Sequence, residues 1–412
     1  MSPLVELAEK ILANAKKVDA YTNTDKSQPI PAEVQQARVD LLDASHELKK
    51  AVVEPESWLN QLYYGYTDIV ALRAVYTLKL PHHVPLEGDI SYEEVAKASN
   101  VNEQALRRLF YYAITINLFT ETRPNHVAHS ATSRHLVNVP GAFDALGMKL
   151  EELVPASQKS IEALQRWPQA TEPTETGYNI AHGTDLPFYR ALAQQPERAR
   201  RFGNGMRYFT DRDNCDLSHL VAAFPWQEHD KPDFTVVDVG GGQGGVSMRL
   251  ASDTKNMHFI VQDLEGTVKH GEEVLPAELK GRVEFMTHDF FSPQKVFADV
   301  YFFRWILHNW SDKYCVDILR SLIPALKSGA RVLLYEYERE DAPETKLSRK
   351  DANYLDMVML SCWNGAIRTE SDWNRLFAAT DARLVLKGIT RPPGSAMSLI
   401  EAVWTAEKVA DP

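Results

Sequence analysis

Phe234-Thr-Val-Val-Asp-Val-Gly-Gly-Gly-Gln-Gly-Gly245 is the stretch that decides the fold. An apolar run enters a cluster of glycines, and an amphipathic segment, residues 246–251, follows directly. This order predicts a buried strand, a tight turn and a helix. Glycine at such a turn lets the backbone approach a ligand because no Cβ is in the way, and the start of the helix offers free N–H groups. The stretch therefore predicts a site for a nucleotide-like cofactor.

The chain after the glycine cluster alternates between short apolar runs and helical segments. His258-Phe-Ile-Val-Gln-Asp263 ends in an acid about 20 residues past the glycines, the spacing of a carboxylate that binds ribose hydroxyls. Val283-Glu-Phe-Met-Thr-His-Asp-Phe290 ends in an acid beside an aromatic ring, which suits an adenine. The alternation predicts a doubly wound parallel sheet with helices on both faces.

Ligands of such sheets bind at the carboxyl ends of the strands. Asp263, Asp289, His308 and Glu336 each lie at or beyond the end of a strand. We therefore expect one pocket to contain all four. Leu384-Val-Leu-Lys and residues 398–404 are expected to add a closing antiparallel pair.

Together these segments make the chain similar to class I S-adenosylmethionine-dependent O-methyltransferases. The resemblance is to the plant caffeic-acid and isoflavone type and to fungal secondary-metabolite relatives, and it extends from roughly residue 60 to the C-terminus. It is carried by Asp-Val-Gly-Gly-Gly at 238–242, Gln-Asp-Leu at 262–264, His-Asp-Phe-Phe at 288–291, and Arg-Trp-Ile-Leu-His-Asn-Trp-Ser-Asp at 304–312. A nicotinamide-dependent enzyme would share the first two segments and is not expected to carry the last.

The resemblance implies S-adenosylmethionine as cofactor and assigns residues to it. The expected cofactor-binding residues lie at the glycine turn and at three strand ends: Asp238, Gly240, Gly242, Asp263, Leu264, Asp289, Phe290 and Arg304. Asp238 is also expected to order the turn itself.

His308 matches the general base of the family. A neutral phenol is a poor nucleophile, and histidine is suited to remove its proton because its pKa lies near the working pH. Glu336 matches the carboxylate that orients this histidine. The family's second carboxylate belongs in a Gly-Lys-Glu-Arg-Thr segment, where this chain has Ile367. Either Glu338 or Glu370 substitutes for it, or the methyl-transfer apparatus is altered.

The missing glutamate keeps a second function open. Some fungal members of this family retain the fold and the cofactor site but catalyse dehydration or pericyclic ring closure on polyketide or pyridone intermediates. The segment after Glu336, Tyr337-Glu-Arg-Glu-Asp341, also departs from the family's usual Leu-Pro pair. Methylation remains the first expectation, a pericyclase the second, and a non-catalytic binding module the third.

Several large side chains are expected near the acceptor substrate. The candidates are Phe188, Met206, Trp305, Trp363 and Ile367. For each one singly, ordinary core packing is the competing interpretation. A wall of this kind indicates a flat, apolar, aromatic or polyketide- or pyridone-like substrate.

The chain before about residue 230 is mainly helical. A helix that begins at Ser91 with a capping box, a helix from Asn102, and two short strands at 119–122 and 127–129 predict a winged-helix-like unit. Its second helix has only two basic residues, Arg107 and Arg108, so we expect dimerisation and no nucleic-acid binding.

The predicted organisation has four parts. Residues 1–58 form an N-terminal helical segment, 59–165 the winged-helix-like dimerisation domain of a homodimer, 166–230 connecting helices that line the cleft, and 231–412 the S-adenosylmethionine-binding catalytic domain.

Composition agrees with a cytoplasmic enzyme. The net charge of −11 over 412 residues argues against a nucleic-acid surface. Three cysteines form neither a disulfide framework nor a metal-type pair, so we expect no metal. No apolar run is long enough to span a membrane, and we expect no membrane partner.

Overall fold

The computed structural model describes residues 3–21 and 30–405. Residues 20–32, rich in Thr, Ser, Asp and Pro, read in the sequence as a connector, and most of them lie outside the described residues. The α-helices are α1 Pro3–Asp19, α2 Ala32–Val52, α3 Pro55–Thr77, α4 Leu80–His83, α5 Tyr92–Ser99, α6 Glu103–Thr115, α7 Ala131–Asn138, α8 Ala142–Met148, α9 Val154–Gln158, α10 Ser160–Arg166, α11 Gly177–His182, α12 Phe188–Ala193, α13 Pro196–Thr210, α14 Leu217–Ala223, α15 Gly245–Asp253, α16 Glu265–Val274, α17 Asp312–Leu322, α18 Lys350–Trp363 and α19 Glu370–Thr380.

The strands form two sheets. They are β1 Ile90–Ser91, β2 Phe119–Arg123, β3 His126–His129, β4 Thr235–Val239, β5 His258–Asp263, β6 Val283–Thr287, β7 Ala298–Arg304, β8 Leu326–Glu336, β9 Leu384–Thr390 and β10 Ser398–Trp404. The large sheet has the order β6-β5-β4-β7-β8-β10-β9. The first five strands in this order, β6, β5, β4, β7 and β8, run parallel to one another. β10 runs antiparallel to both β8 and β9. This confirms the doubly wound sheet and its closing antiparallel pair.

The sheet is buried on both faces. β4 carries valines at positions 236, 237 and 239 that are at most 1% exposed, as expected for a central parallel strand. Asp238 lies between them, in register with Val261 on one side and Phe302 on the other. Because the five parallel strands share one direction, their carboxyl ends meet at one edge of the sheet.

The described residues divide into two compact units. The first contains the chain up to His46, Ser160–Gly177 and the chain from Asp213, and it includes the large sheet. The second contains Glu47–Lys159 and Tyr178–Arg212.

The second unit contains the winged-helix-like arrangement. β1, β3 and β2 form a small antiparallel sheet beside α5 and α6. Ser91 and Glu94 form the predicted capping box at the start of α5. Leu106, Phe110 and Phe119 belong to the core of this unit, which confirms that the helix packs inward.

Two predicted elements differ from the structure. The sequence from Pro187 to Tyr208 predicts one helix lining the cleft. The structure instead has α12 and α13, because Pro196 has no N–H to continue α12 and begins a new helix. Lys327-Ser-Gly329 reads in the sequence as the end of the helix before the strand. In the structure these residues lie within β8, and that helix ends at Leu322.

The described residues include no helix that combines the length and apolarity needed to cross a membrane.

Candidate active site

His308 lies just after β7, at the edge where the parallel strands end. It occupies one turn of 3-10 helix, Leu307–Asn309, and is 7% exposed. Its Nδ1 lies 2.8 Å from Oε2 of the fully buried Glu336, at ion-pair distance but off the line of a hydrogen bond. The other oxygen, Oε1, accepts the backbone N–H groups of Ile306 and Leu307, each at 3.0 Å. One carboxylate thus contacts the ring and holds the backbone leading to it.

This contact determines what the imidazole of His308 can do. A carboxylate beside Nδ1 favours the tautomer with its proton on that nitrogen, which leaves Nε2 as an acceptor. A neutral imidazole in this state can take a proton from a hydroxyl group. A carboxylate at this distance would also stabilise an imidazolium, as the acid does in a catalytic triad.

The glycine turn after β4 lies against the His308 loop. Gly240 has φ 70°, and a Cβ there would lie 2.7 Å from Cδ1 of Ile306 and 3.9 Å from Cδ1 of Phe290. Gly242 has φ 61° and open space around it. The positive φ therefore favours glycine at 240. The turn lies next to Ile306, which precedes His308 by two residues.

Asp238 and Arg304 provide the charged groups beneath the turn. Asp238 is 2% exposed, and its Oδ2 accepts the hydroxyl of Ser247 at 2.8 Å. Burial raises the pKa of Asp238 to about 6, although Ser247 and Arg304 both oppose the rise. Arg304 donates to the carbonyl of Cys215 at 3.3 Å. Burial lowers the pKa of its guanidinium, whose Nε has no hydrogen-bond partner among the described residues.

The two strand-end acids differ in their surroundings. Oδ2 of Asp263 accepts the N–H of Gly242 at 2.9 Å, and Oδ1 accepts the N–H of Leu264 at 2.7 Å. Asp289 is exposed and accepts the N–H of Phe291 at 3.0 Å. Asp263 therefore ties the second strand end to the glycine turn, whereas Asp289 faces outward.

The remaining residues expected at the cofactor lie beside these acids. Leu264 is 60% exposed at the start of α16. Phe290 lies beside the glycine turn and packs 5.0 Å, between ring centroids, from Phe291. Both residues are at the edge of the sheet where the expected pocket lies.

Trp305 has an uncommon backbone conformation for a bulky residue. Its φ is 57°, in the left-handed region. Its Nε1–H donates to Sδ of Met397 at 2.8 Å, and its ring stacks on Tyr337 with centroids 6.4 Å apart. The Arg304 guanidinium lies 5.1 Å from the ring centroid. Conformations of this kind persist where surrounding contacts enforce them, often at functional sites.

Ile367 is fully buried, and its backbone is held from two sides. Its N–H donates to Oδ1 of Asp356 at 2.8 Å, and its carbonyl accepts Nε of Arg339 at 2.7 Å. Glu338 accepts the hydroxyl of Ser398. Among the described residues, neither Glu338 nor the exposed Glu370 contacts His308.

The other residues expected at the substrate are placed as follows. Trp363 ends α18 and is 7% exposed. In the second unit, Phe188 is 1% exposed and packs on Tyr178 and Phe202, while Met206 is partly exposed on α13. Their roles at a substrate stay predictions.

Sequence reasoning missed two residues beside the His308 loop. The Arg368 guanidinium donates to the carbonyl of Leu307, and Gly365 lies against the carbonyl of His308. Both stand in the segment where the family has Gly-Lys-Glu-Arg-Thr, and the match of its glycine and arginine to that pattern is the signal that could have indicated them.

Two known protein domains match this chain. An O-methyltransferase domain matches residues 163–381, and an O-methyltransferase dimerisation domain matches residues 60–138. The chain belongs to the O-methyltransferase family. It is 35% identical to chlorophenol O-methyltransferase of Trichoderma longibrachiatum, over 98% of this chain and 90% of that protein. It is 34% identical to the grayanic acid biosynthesis cluster O-methyltransferase of Cladonia grayi, over 99% and 89%.

Several solved structures have the same fold as this O-methyltransferase. LepI in complex with S-adenosylmethionine has a TM-score of 0.76 at 23% identity, covering 97% of this chain and 99% of that one. OxaC in complex with sinefungin and meleagrin has a TM-score of 0.78 at 20% identity, covering 98% and 99%. A further neighbour, with a TM-score of 0.76 at 21% identity over 97% of this chain and 100% of that one, is a pericyclic reaction enzyme.

S-adenosylmethionine is the cofactor of this family, and the residues present fit it. The buried Nε of Arg304 lacks a partner among the described residues, and an unsatisfied buried donor costs about 1–3 kcal/mol. A carboxylate such as that of the cofactor's methionine part would satisfy it. The open space at Gly242 and the carboxylate of Asp263 suit the ribose.

Proposed function

We propose that this O-methyltransferase acts on a phenolic or enolic secondary metabolite, with His308 as general base and Glu336 as the residue that orients it. The observation that carries the proposal is the 2.8 Å contact between Nδ1 of His308 and Oε2 of Glu336. It supplies the tautomer that a base needs, next to the glycine turn on which the cofactor is expected.

Each residue has a defined task in this proposal. When bound, S-adenosylmethionine supplies an electrophilic methyl group. Nε2 of His308 accepts the proton of the acceptor hydroxyl, and Glu336 stabilises the resulting imidazolium. Asp263 and Asp289 bind the ribose and adenine, and Arg304 binds the carboxylate. One positioned base contributes about 10²- to 10⁴-fold to the rate, so a second carboxylate is not essential.

The walls of the acceptor pocket are proposed to include Trp305 and Trp363. The buried Ile367 is proposed to limit the depth of this pocket. Aromatic walls favour a flat, apolar acceptor. Chlorophenol O-methyltransferase, the relative at 35% identity, is named for a phenolic substrate. A phenol is therefore the first substrate class to test.

A second candidate function is pericyclic or dehydrative ring closure without consumption of the cofactor. The observation that favours it is the full burial of Ile367, at the position where the family resemblance would place a glutamate. In this function the histidine has one carboxylate fewer beside it. The sulfonium cation of bound S-adenosylmethionine, together with Arg304, would polarise a carbonyl group of the substrate.

The two functions separate in one assay. Purified protein would be incubated with methyl-labelled S-adenosylmethionine and a panel of chlorophenols, other phenols and hydroxypyridones, and the products analysed by mass spectrometry. Label in a product with release of S-adenosylhomocysteine supports the methyltransferase. Isomerised or dehydrated products with an unchanged methyl count support the second candidate and overturn the first.

The base assignment needs its own variant. His308→Ala should lose methyl transfer while its affinity for S-adenosylmethionine, measured by calorimetry, stays within a few-fold of wild type. His270→Ala, at an exposed histidine of α16, is the matched control and should keep full activity. Undiminished methylation by His308→Ala would remove this histidine from the mechanism.

We further propose that the protein is a homodimer formed through α3. This helix presents six large apolar or aromatic side chains that are 48–72% exposed: Leu59, Leu62, Tyr63, Tyr64, Tyr66 and Val70. The matched dimerisation domain begins at residue 60 and includes most of them. A patch of this kind on one helix is typical of an interface.

Light scattering after size exclusion tests the dimer. The wild-type chain should have twice the monomer mass, and Leu62→Asp should reduce it to the monomer. Ile161→Asp, at another exposed apolar residue outside the matched domain, should leave the dimer intact. A monomeric wild type would refute the interface.

A further inference from the structure

Arg368 lies beneath the loop that carries His308. Its side chain is 1% exposed. Nη1 donates to the carbonyl of Leu307 at 3.0 Å, and Nη2 donates to the carbonyl of Trp310 at 2.9 Å. Nε and Nη2 both donate to Oδ1 of Asp312, at 3.0 and 2.7 Å. One guanidinium thus binds the loop on both sides of the histidine.

The backbone before Arg368 contacts the histidine itself. The N–H of Ala366 donates to the carbonyl of His308 at 3.0 Å. A Cβ at Gly365 would lie 2.0 Å from that same carbonyl oxygen, so only glycine permits the approach. Residues 365–368 therefore hold three residues of the loop: Leu307, His308 and Trp310.

The two sides of the loop are fixed by different groups. Glu336 binds the N–H groups that enter the loop and contacts the imidazole. Arg368 binds the carbonyls around and beyond the histidine. Removing Arg368 would free the carbonyls of Leu307 and Trp310 and leave the N–H of Ala366 as the bond to the backbone of His308 on that side.

We infer that Arg368 is a positioning residue for His308, and that Gly365 and Arg368 together form a brace that sets the imidazole against the acceptor. The inference rests on the proposed role of His308 as base. Arg368 touches neither of the reacting groups in this inference; it acts through the backbone carbonyls of the loop.

Lysine cannot replace this arginine. The guanidinium is a planar fork that serves three acceptors in fixed directions, whereas an ammonium is a single point of charge on a flexible stem. A displacement of the catalytic group by about 1 Å costs on the order of 10²-fold in rate. We therefore expect Arg368→Met to lower kcat by roughly this factor, and Arg368→Lys to recover part of the loss.

Arg339 provides the matched control. It is a partly buried arginine that donates to the neighbouring carbonyl of Ile367 and pairs with Asp356, so it holds the same segment from the side away from the loop. Arg339→Met removes one hydrogen bond to the segment and the ion pair with Asp356, and it removes no hydrogen bond to residues 307–312. Its kcat should stay within a few-fold of wild type at a temperature where both proteins are folded.

The experiment measures two independent quantities for wild type, Arg368→Met, Arg368→Lys, Gly365→Ala and Arg339→Met. The first is the dependence of kcat and KM on pH. The second is the NMR titration of the ¹³C-labelled imidazole of His308, assigned with His308→Ala. We expect kcat to fall and the His308 titration to change in the Arg368 and Gly365 variants, with KM for S-adenosylmethionine little changed.

The outcomes separate the brace from the base assignment. A normal kcat and an unchanged His308 titration in folded Arg368→Met would overturn the brace, as would an equal loss in Arg339→Met. If Arg368→Met does not fold, Arg368→Lys and Gly365→Ala decide on the same criteria. If His308→Ala keeps full methylation while the Arg368 variants still alter the imidazole titration, the brace stands and the base assignment fails.

Discussion

Two turns at the same edge of the sheet are built in opposite ways. The turn after β4 follows its path because its own glycines adopt positive φ values, 70° at Gly240 and 61° at Gly242. The loop after β7 is held by side chains from elsewhere, with Glu336 on one side and Arg368, 61 positions from Leu307, on the other. The first turn needs the conformational freedom of its own glycines, to which the end of the neighbouring strand adds hydrogen bonds, whereas the second depends on side chains distant in the sequence.

The difference predicts different responses to substitution. Changes around the His308 loop should alter turnover strongly and cofactor affinity little. Changes around the glycine turn should alter affinity or stability and leave the acid–base step intact. Four substitutions test this division.

The largest effect is expected from Glu336→Gln. The amide cannot hold the protonated imidazole as a carboxylate does, so kcat should fall by about 10²- to 10⁴-fold. Affinity for S-adenosylmethionine, measured by calorimetry, should stay nearly constant. Glu338→Gln, two residues along and bound to Ser398, is the control. An equal loss of kcat in both variants would show that the effect is not specific to the His308 loop, and would contradict the division between the two turns.

Asp238→Asn should change how stability depends on pH. The pKa of Asp238 is raised from 3.8 to about 6 in the folded protein. The folded state therefore holds the proton more tightly than the unfolded state, and stability present below pH 4 is lost as the pH rises through 6. Asparagine has no proton to lose, so the free energy of unfolding of the variant relative to wild type should rise between pH 4 and 7, by up to about 3 kcal/mol.

Chemical denaturation across this pH range measures the effect. Asp317→Asn, which removes an exposed carboxylate on α17, is the control and should give a flat difference. A flat difference for Asp238→Asn as well would show that its burial does not raise the pKa.

Asp263→Ala should weaken cofactor binding by about 1.5–3 kcal/mol, because charge-assisted hydrogen bonds are lost. This corresponds to a roughly 10- to 150-fold higher Kd by calorimetry. The exposed Glu265→Ala is the control, two residues along the chain. If the Kd is unchanged and kcat falls, the acid belongs with the His308 loop, and the division between the two turns is wrong.

Gly242→Ala should have the smallest effect. No atom lies within 4 Å of the added Cβ, so only the left-handed backbone opposes it, at roughly 1–2 kcal/mol. Gly266→Ala, in the helical conformation of α16 and also in open space, should be neutral or slightly stabilising. Thermal melting compares the two, and equal melting temperatures would show that the turn is not fixed by conformation.

The contrast between local and distant contacts also explains which features of the fold and the site could be predicted from the sequence. The strand, glycine turn and strand-end acids were predictable because each is written in adjacent residues, as with Asp238 to Gly242 or His258 to Asp263. The capping box at Ser91 was predictable for the same reason. Pro196 also carries a local signal, and overlooking it joined α12 to α13.

Other features could not be derived in this way. These features depend on contacts between segments that the sheet brings together. They are the carbonyls that accept from Arg368, the need for glycine at 365, and the bond from Arg339 to Ile367. Composition and periodicity contain no record of such pairings. The resemblance to a family indicated the segment but not the role of its arginine.

Residue 367 connects to its neighbours through its main chain, which Asp356 and Arg339 bind irrespective of the side chain present. The hydrogen bonds that hold this segment would therefore remain available to another buried apolar side chain at 367. The side chain itself is enclosed by protein, so its size and polarity are set by packing and not by those bonds. Segment support and side-chain identity are thus two separate properties of one residue.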